Sequence, residues 1–345
     1  MMFSGINKKI TVIMSVLNGE RYLKQSIESI LNQTFEDFDF IIINDGSTDK
    51  SWDIITYFSR KDERIVPINQ KNIGLTASLE KAMTLCKSDY VVRQDADDYS
   101  YPNRFEEQIN FMDKNPEVAL LGTGALILDE HLRKRVVHGE QKHELLDWEM
   151  LFSNCYIHSS SMIRLSSLKK VELNYGKIPK EFQKFAKDLN PYGPSQDYLL
   201  FGLIARYFPI AQLYEPLVVF RKHNNSISFK EIHKQNKRRD KISKLLVSAH
   251  LGYEIEMDLV NEIRQYKFYG KQISHEGKSL LRKILRKGKS HLNYQKSLNV
   301  VSRSTFIHGP FQKVMRSIFS LNFDLERHDL KLIYFYIRGL FKSDK

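Results

Sequence analysis

Residues 10–17, ITVIMSVL, form an apolar run rich in β-branched side chains, closed by Asn18-Gly19, and read as a buried strand. The next segment, ERYLKQSIESILNQ, places Tyr22, Leu23, Ile27, Ile30 and Leu31 on one helical face. FDFIIIND (38–45) is a second continuous strand, stopped by Asp45-Gly46, with Ser47 or Thr48 positioned to cap a helix carrying Trp52, Ile55 and Phe58. RIVPIN (64–69) is a strand that Pro67 confines to an edge. Leu75, Leu79, Ala82 and Met83 make another helical stripe before the strand DYVVRQ. Strand and helix alternating at this pace imply parallel βαβ units in a doubly wound sheet. Both faces of such strands are covered, which accounts for runs such as Ile41-Ile42-Ile43.

The pattern loosens after Pro102. NRFEEQINFMDKN reads as a helix, VALLGTGALIL (118–128) as a strand, and LYEPLVVFRKH (213–223) as a late strand, whereas 129–150 is polar without a strong period. From Phe229 onward helical segments dominate and lysines cluster. The expected organisation is therefore a catalytic α/β domain over 1–228 (halves 1–100 and 101–228) and a helical basic region over 229–345.

Charge sharpens that boundary. The chain of 345 residues carries a net charge of +12, yet residues 229–345 hold 25 Lys and Arg against 11 Asp and Glu, leaving the first 228 slightly acidic. Two cysteines, Cys86 and Cys155, exclude a disulfide framework and a cysteine-rich zinc site, and fit a reduced, cytoplasmic setting. MMFSGINKK lacks the apolar core of a signal peptide, and no run approaches the ~18 apolar residues of a membrane span.

Chemistry concentrates where strands end, because open parallel sheets bind ligands beyond the carboxyl ends of their strands. Three strands end in Asn18 and Glu20, in Asp45, and in Asp95 and Asp97, with Asp98 following directly. Converging carboxylates call for a cation, and a hard divalent ion shared with phosphate oxygens suits them. A calcium loop fails: in that frame position 6 is Ser100 rather than glycine, and Pro102 interrupts. On these residues alone the acidic cluster also fits an exposed turn capping the next helix.

Five blocks in order, SVLNGERYLKQSIESILNQTF, IIINDGSTDKS, NIGLTASLEKA, RQDADDYSYPNRFEEQINFM and NCYIHSSSMIR, closely resemble glycosyltransferase family 2 across roughly 10–228. SQDYLLFGLIAR and YEPLVVFRKHNNSIS resemble more narrowly the bacterial transferases of lipooligosaccharide and capsule. The resemblance implies a GT-A fold and metal-dependent, inverting transfer from a nucleotide-sugar, a UDP-sugar such as UDP-GlcNAc, UDP-Gal or UDP-Glc, to a saccharide or glycolipid acceptor. By position, Ser15 and Val16 would offer main-chain contacts to the nucleotide, with Asn18 at the same strand end and Glu20 near the ribose or base. Asp45 would meet the uracil edge, and Asn72 and Gly74 would approach the nucleotide, glycine because a side chain would block it. Arg93 would neutralise the floor, Asp95 would reach ribose or metal, Asp97 would bind Mn²⁺ or Mg²⁺, and Asp98 would position the loop. Asp197 would be the base, although Gln196 stands where the family has a second acid; its rival reading is a helix cap. His223 would close the metal site or pack beside a turn. Arg221 and Ser226 would contact phosphate or remain solvated, and Asn154 and His158 would line the acceptor side or serve structure.

The basic region mixes Lys and Arg with Ile and Leu at helical spacing, and LKLIYFYIRGLFKS offers Leu332, Ile333, Tyr336, Ile337 and Leu340 as an apolar face. No helix-turn-helix, zinc-finger or RNP pattern accompanies it, so nucleic acid is not the expected partner. Anionic lipid on the inner face of the cytoplasmic membrane is, with a solvated helical cap as the plainer reading. Two rival functions remain: another metal-dependent nucleotide enzyme, which would want a P-loop or lysine signature absent here, and a non-catalytic nucleotide-sugar-binding assembly protein.

Overall fold

Each apolar run of the first hundred residues becomes a strand whose alternate side chains enter different layers. The computed structural model describes residues 8–140, 143–223 and 232–295. Its strands are β1 (Ile10–Val16), β2 (Phe38–Asp45), β3 (Ile65–Gln70), β4 (Tyr90–Arg93), β5 (Tyr99–Ser100), β6 (Leu120–Asp129), β7 (Lys134–Val137), β8 (Met162–Arg164) and β9 (Ile210–Lys222). They form one sheet in the order β3-β2-β1-β4-β8-β6-β9-β5, with β7 on β6. β3, β2, β1 and β4 are parallel, and β9 is parallel to β6. β8 runs against both of its neighbours, β4 and β6. Pro67 lies on edge strand β3, as its missing N–H requires. β8 was not readable from sequence, since three residues carry no period.

The helices are α1 (Glu20–Leu31), α2 (Ser51–Ser59), α3 (Leu75–Leu85), α4 (Arg104–Lys114), α5 (His143–Met150), α6 (Leu165–Lys170), α7 (Lys180–Gln183), α8 (Gln196–Tyr207), α9 (Ile232–Leu251), α10 (Met257–Tyr269) and α11 (His275–Gln295). One core layer joins Val12, Met14, Phe40 and Ile42 to Leu23, Ile27 and Ile30 of α1 and to Phe105, Ile109 and Met112 of α4. On the other face Ile13, Ile41, Ile43 and Val91 meet Leu79 and Met83 of α3 and Leu199 and Leu203 of α8. That second layer continues without a break into Ile242, Leu245 and Leu246 of α9, Ile263 of α10 and Leu281 and Ile284 of α11. The described part of the basic region thus packs on the sheet's own core. The Leu332–Leu340 face and Ser226 lie outside the described residues.

The expected cap at Ser47 or Thr48 is corrected: α2 begins at Ser51, and Asp49 Oδ1 accepts from Ser51 N at 2.9 Å. Ser47 and Thr48 instead bind the β1–α1 turn. Cys86 and Cys155 are unpaired, and burial pushes the Cys86 thiol up to about 12.

Lys267 of α10 carries its ammonium into this layer. Its Nζ is shielded from water with no hydrogen-bond partner, 5.1 Å from the centroid of Trp148, 5.5 Å from Phe152 and 5.1 Å from Phe268. Burial pushes its pKa down from 10.5 to about 8. The unfolded chain therefore binds more protons between these two values, and stability should climb as pH rises from about 8 to 10.5. Lys267→Met should remove that climb and raise neutral-pH stability by about 1–3 kcal/mol, the ring faces having returned part of the cost. Urea denaturation at a series of pH values reads both effects. An unchanged slope in the variant would show that Lys267 is not the titrating group.

Candidate functional site

The site gathers at the carboxyl ends of β1, β2 and β4, where the crossover turns are stitched to one another. Asn18 adopts φ 55°, a left-handed conformation that asparagine tolerates. Its Oδ1 accepts from Thr48 N at 2.9 Å, and its own N donates to Ser47 Oγ at 3.0 Å. Glu20 Oε2 accepts from Lys50 N at 3.0 Å. Asn18 and Glu20 thereby fix the turn after β2, while Ser15 and Val16 pair with Ile43 and Asn44 in the sheet.

Asp45 is 2% exposed and organises the next turn. Its Oδ1 accepts from Gln70 Nε2 and Ile73 N, and its Oδ2 from Gly74 N, each at 2.9 Å. Gly74 has φ 88° and ψ 157°, a region essentially restricted to glycine, and an added Cβ would meet no atom within 4 Å. The backbone alone therefore requires glycine here, and the space beside it is open. Leu17 and Ile73, both about half exposed, leave apolar surface on these neighbouring turns.

Beyond β4 the three aspartates part company. Asp95 pairs with Arg93, which is 2% exposed and also donates from Nη1 to Ile13 O at 3.1 Å. Asp98 is fully buried, accepting from Arg221 N at 2.9 Å and from Ser159 Oγ. Burial, then repulsion from Asp97 and Asp95, holds its carboxyl well above the usual range. It ties β9 and the 158–160 turn to the acidic loop. Asp97 Oδ2 lies 2.9 Å from His223 Nε2. Burial and the Asp95 charge raise the Asp97 pKa, against the hydrogen bond from His223.

Part of the answer to this crowding is a cation that sequence reasoning missed. Arg104 is fully buried beneath the loop. Nη1 donates to Ser100 Oγ at 2.8 Å and Gln94 Oε1 at 3.2 Å, Nη2 to Arg93 O at 3.1 Å and Ser161 O at 3.3 Å, and Nε to Gln108 Oε1 at 3.1 Å. Burial pushes its pKa down to about 9, against the attraction of Asp98 and Asp95. The signal was present: Arg104 and Gln108 interrupt, at i and i+4, the stripe that continues to Met112.

Arg221 is more occupied than its phosphate role assumed. Its Nη1 donates to Asp97 O at 2.7 Å and its Nη2 to Gln25 Oε1 at 2.8 Å, with the guanidinium 5.0 Å from the Tyr22 centroid. Tyr22 also flanks His223, centroids 5.3 Å apart.

On the far side, Ser195 turns through φ 60° into α8, and Asp197 is the second residue of that helix. Its Oδ2 accepts from Asn154 Nδ2 at 2.8 Å, so the side chain does not cap its own helix. His158 lies between the two groups of acids: Nδ1 is 4.0 Å from Asp95 Oδ2, and Nε2 is 2.8 Å from Tyr175 Oη. Burial and then Arg93 lower its pKa, against the pull of Asp95 and Asp197, which favours the neutral ring. Asn72 stays on the exposed turn, its Oδ1 accepting from Gly74 N at 3.1 Å.

Among the described residues no three His, Cys, Asp or Glu side chains group into a protein-only metal cage. Asp97 and His223 nevertheless fit a shared ion. Adjacent ligands of an octahedral cation with bonds of ~2.1 Å lie ~3 Å apart, close to the observed separation. A carboxylate, an imidazole and substrate oxygens are also a donor set that Mn²⁺ or Mg²⁺ accepts.

The profile of Glycosyl transferase family 2 matches residues 11–172. A Haemophilus influenzae protein described as an uncharacterized glycosyltransferase is 28% identical over 96% of this chain and 97% of its own length. The Escherichia coli O-antigen biosynthesis glycosyltransferase WbnJ is 34% identical over 47% of this chain and 63% of its own. In fold, S. aureus TarS 1–349 in complex with UDP-GlcNAc superposes with a TM-score of 0.57 at 15% identity, over 81% of this chain and 80% of that one.

Proposed function

We propose a reaction from the premise that this chain belongs to glycosyl transferase family 2 and has the GT-A fold: metal-dependent, inverting transfer of a sugar from a UDP-sugar to a saccharide acceptor. The observation that carries it is the pairing of two separate acid stations, Asp97 with His223 and Asp197 with Asn154, with His158 between Asp95 and Asp197. A site that only bound a nucleotide-sugar would have no use for the second station.

By this reading Leu17 and Ile73 cover the faces of the base, while Asp45 holds the 73–74 turn against its edge. Asp97 and His223 would hold the metal ion, while Asp95, expected as a third ligand, is turned to Arg93 beside them. When bound, the ion neutralises charge on the leaving diphosphate. Arg93 and Arg104 keep the floor from accumulating negative charge. Asn154 holds one oxygen of Asp197, and the other takes the proton of the acceptor hydroxyl as its oxygen bonds to the anomeric carbon. The bond from that carbon to the diphosphate breaks, and its electron pair leaves with the nucleotide. Backside displacement inverts the centre. Neutral His158 donates no charge to Asp197 and leaves it available as the base.

The donor is proposed as UDP-linked on the sequence resemblance, and TarS of the same fold was crystallised with UDP-GlcNAc. The E. coli relative's part in O-antigen biosynthesis supports a bacterial surface saccharide as the product. A panel of nucleotide-sugars with Mn²⁺, read by thermal shift and then by transfer, should single out UDP-GlcNAc, UDP-Gal or UDP-Glc. Equal response to every nucleotide would remove the UDP assignment.

A cytoplasmic location on the inner membrane face is the accompanying proposal. No described helix is long and apolar enough to cross a membrane. α11 buries Leu280, Leu281 and Ile284 and exposes Lys283, Leu285 and Lys287. Anionic vesicles should pellet the protein at low salt and release it as salt rises, each basic residue near the surface adding ~1 kcal/mol. Binding indifferent to salt and lipid charge would end the membrane proposal.

A further inference from the structure

Resting on the glycosyltransferase reading above, we propose that Arg238 and Lys241 of α9 set the position of Asp197 by clamping the loop that delivers it. The basic C-terminal region then has work at the reaction centre as a positioning element.

Three carbonyls within residues 188–191 face α9. Arg238 Nη1 donates to Asn190 O, Arg238 Nη2 to Pro191 O at 3.2 Å, and Lys241 Nζ to Asp188 O at 3.0 Å. Arg238 and Lys241 are three residues apart, so one helix face presents both cations. Arg238 is only 8% exposed, and among the described residues no carboxylate pairs with it. Burying a guanidinium against loop carbonyls alone is expensive, and an apolar side chain would fill the same space at lower cost. The guanidinium fixes two of these acceptors at once, and the Lys241 ammonium holds the third.

The loop is shaped to receive it. A Cβ on Gly193 would come within 2.4 Å of Arg238 Nη1, so the guanidinium occupies the place of a side chain there. Two residues later Ser195 makes its left-handed turn, and Asp197 follows in the first turn of α8. α8 is seated on α9 by a second close contact, since a Cβ on Gly202 would lie 2.4 Å from Leu246 Cδ1. Loop and helix are thus both referenced to α9, with three residues between Gly193 and the base. Displacing a reacting group by ~1 Å can cost about 10²-fold in rate, so the clamp's readout is turnover and not donor affinity.

The test uses the full chain and the sugar donor on which the parent turns over. Arg238→Met should lower kcat by about tenfold or more with donor KM within about twofold, and Arg238→Lys should recover part of the loss. Gly193→Ala should reproduce the fall in the parent and add nothing in an Arg238→Ala background, where the guanidinium is gone. Arg238→Met combined with Asp197→Asn should be no slower than Asp197→Asn alone, because the clamp acts through that carboxylate. Should Arg238→Met misfold, as circular dichroism would show, the Gly193→Ala result decides. A folded Arg238→Met with parental kcat, a harmless Gly193→Ala, or a full extra loss on top of Asp197→Asn would each overturn the clamp while leaving the reaction standing. A parent that turns over no donor removes the reaction, and the clamp with it.

Discussion

Asp197→Asn should lower kcat by about 10²–10⁴-fold while donor KM stays within about twofold. The asparagine carbonyl can keep the hydrogen bond from Asn154 Nδ2, observed at 2.8 Å, so the helix start and the acceptor side retain their shape. What disappears is an atom able to take the hydroxyl proton as the new bond forms. The measurement is steady-state transfer with the best donor, accompanied by calorimetric titration of the nucleotide. Parental turnover in Asp197→Asn would remove the base assignment. Turnover lost together with donor binding would instead point to a role in assembling the donor pocket.

Asp97→Ala should have the second large effect, of opposite kind. Mn²⁺ and UDP uptake in a calorimeter should weaken together, and transfer should fall by about 10²–10⁴-fold, the several kcal/mol attributed to metal stabilisation of leaving charge. Without metal the variant should be no less stable than the parent. Burial and the neighbouring Asp95 already hold the Asp97 carboxyl above its ordinary range, so its charge is a cost to the metal-free fold. Unaltered Mn²⁺ and UDP uptake would sink the donor-site reading as a whole. His223→Ala should weaken metal uptake less, since the carboxylate remains.

The strand ends were legible because their signal is local. Three apolar runs terminate at Leu17, at Asp45 and near Gln94, and parallel topology alone sends such ends to one rim. The period-2 division of Ile41 and Ile43 from Phe40 and Ile42 was likewise implicit in a run long enough to need cover on both faces. β8 and the use of Ser47 and Thr48 were not legible. A strand of three residues has no measurable period, and a hydroxyl that fits a helix cap fits a turn partner 30 residues away equally well. Arg104 escaped notice because an arginine in a helix is ordinarily solvated, and only the packed loop above it shows the cation to be enclosed.

By itself the sequence determined the alternation of strand and helix, the rim on which acids collect, the break in charge near residue 229, and the ordered blocks that resemble glycosyltransferase family 2. Those are properties of periodicity and composition, additive along the chain. Tertiary structure alone decided which acid faces which partner: Asp95 toward Arg93, Asp97 toward His223, Asp98 toward Ser159 and Arg221, Asp197 toward Asn154. It also decided that Arg238 would meet a loop some fifty residues earlier. Such pairings depend on distances of a few ångströms between segments far apart in sequence. No local pattern encodes them, because the free energy that selects them arises only once the sheet and its two core layers have closed.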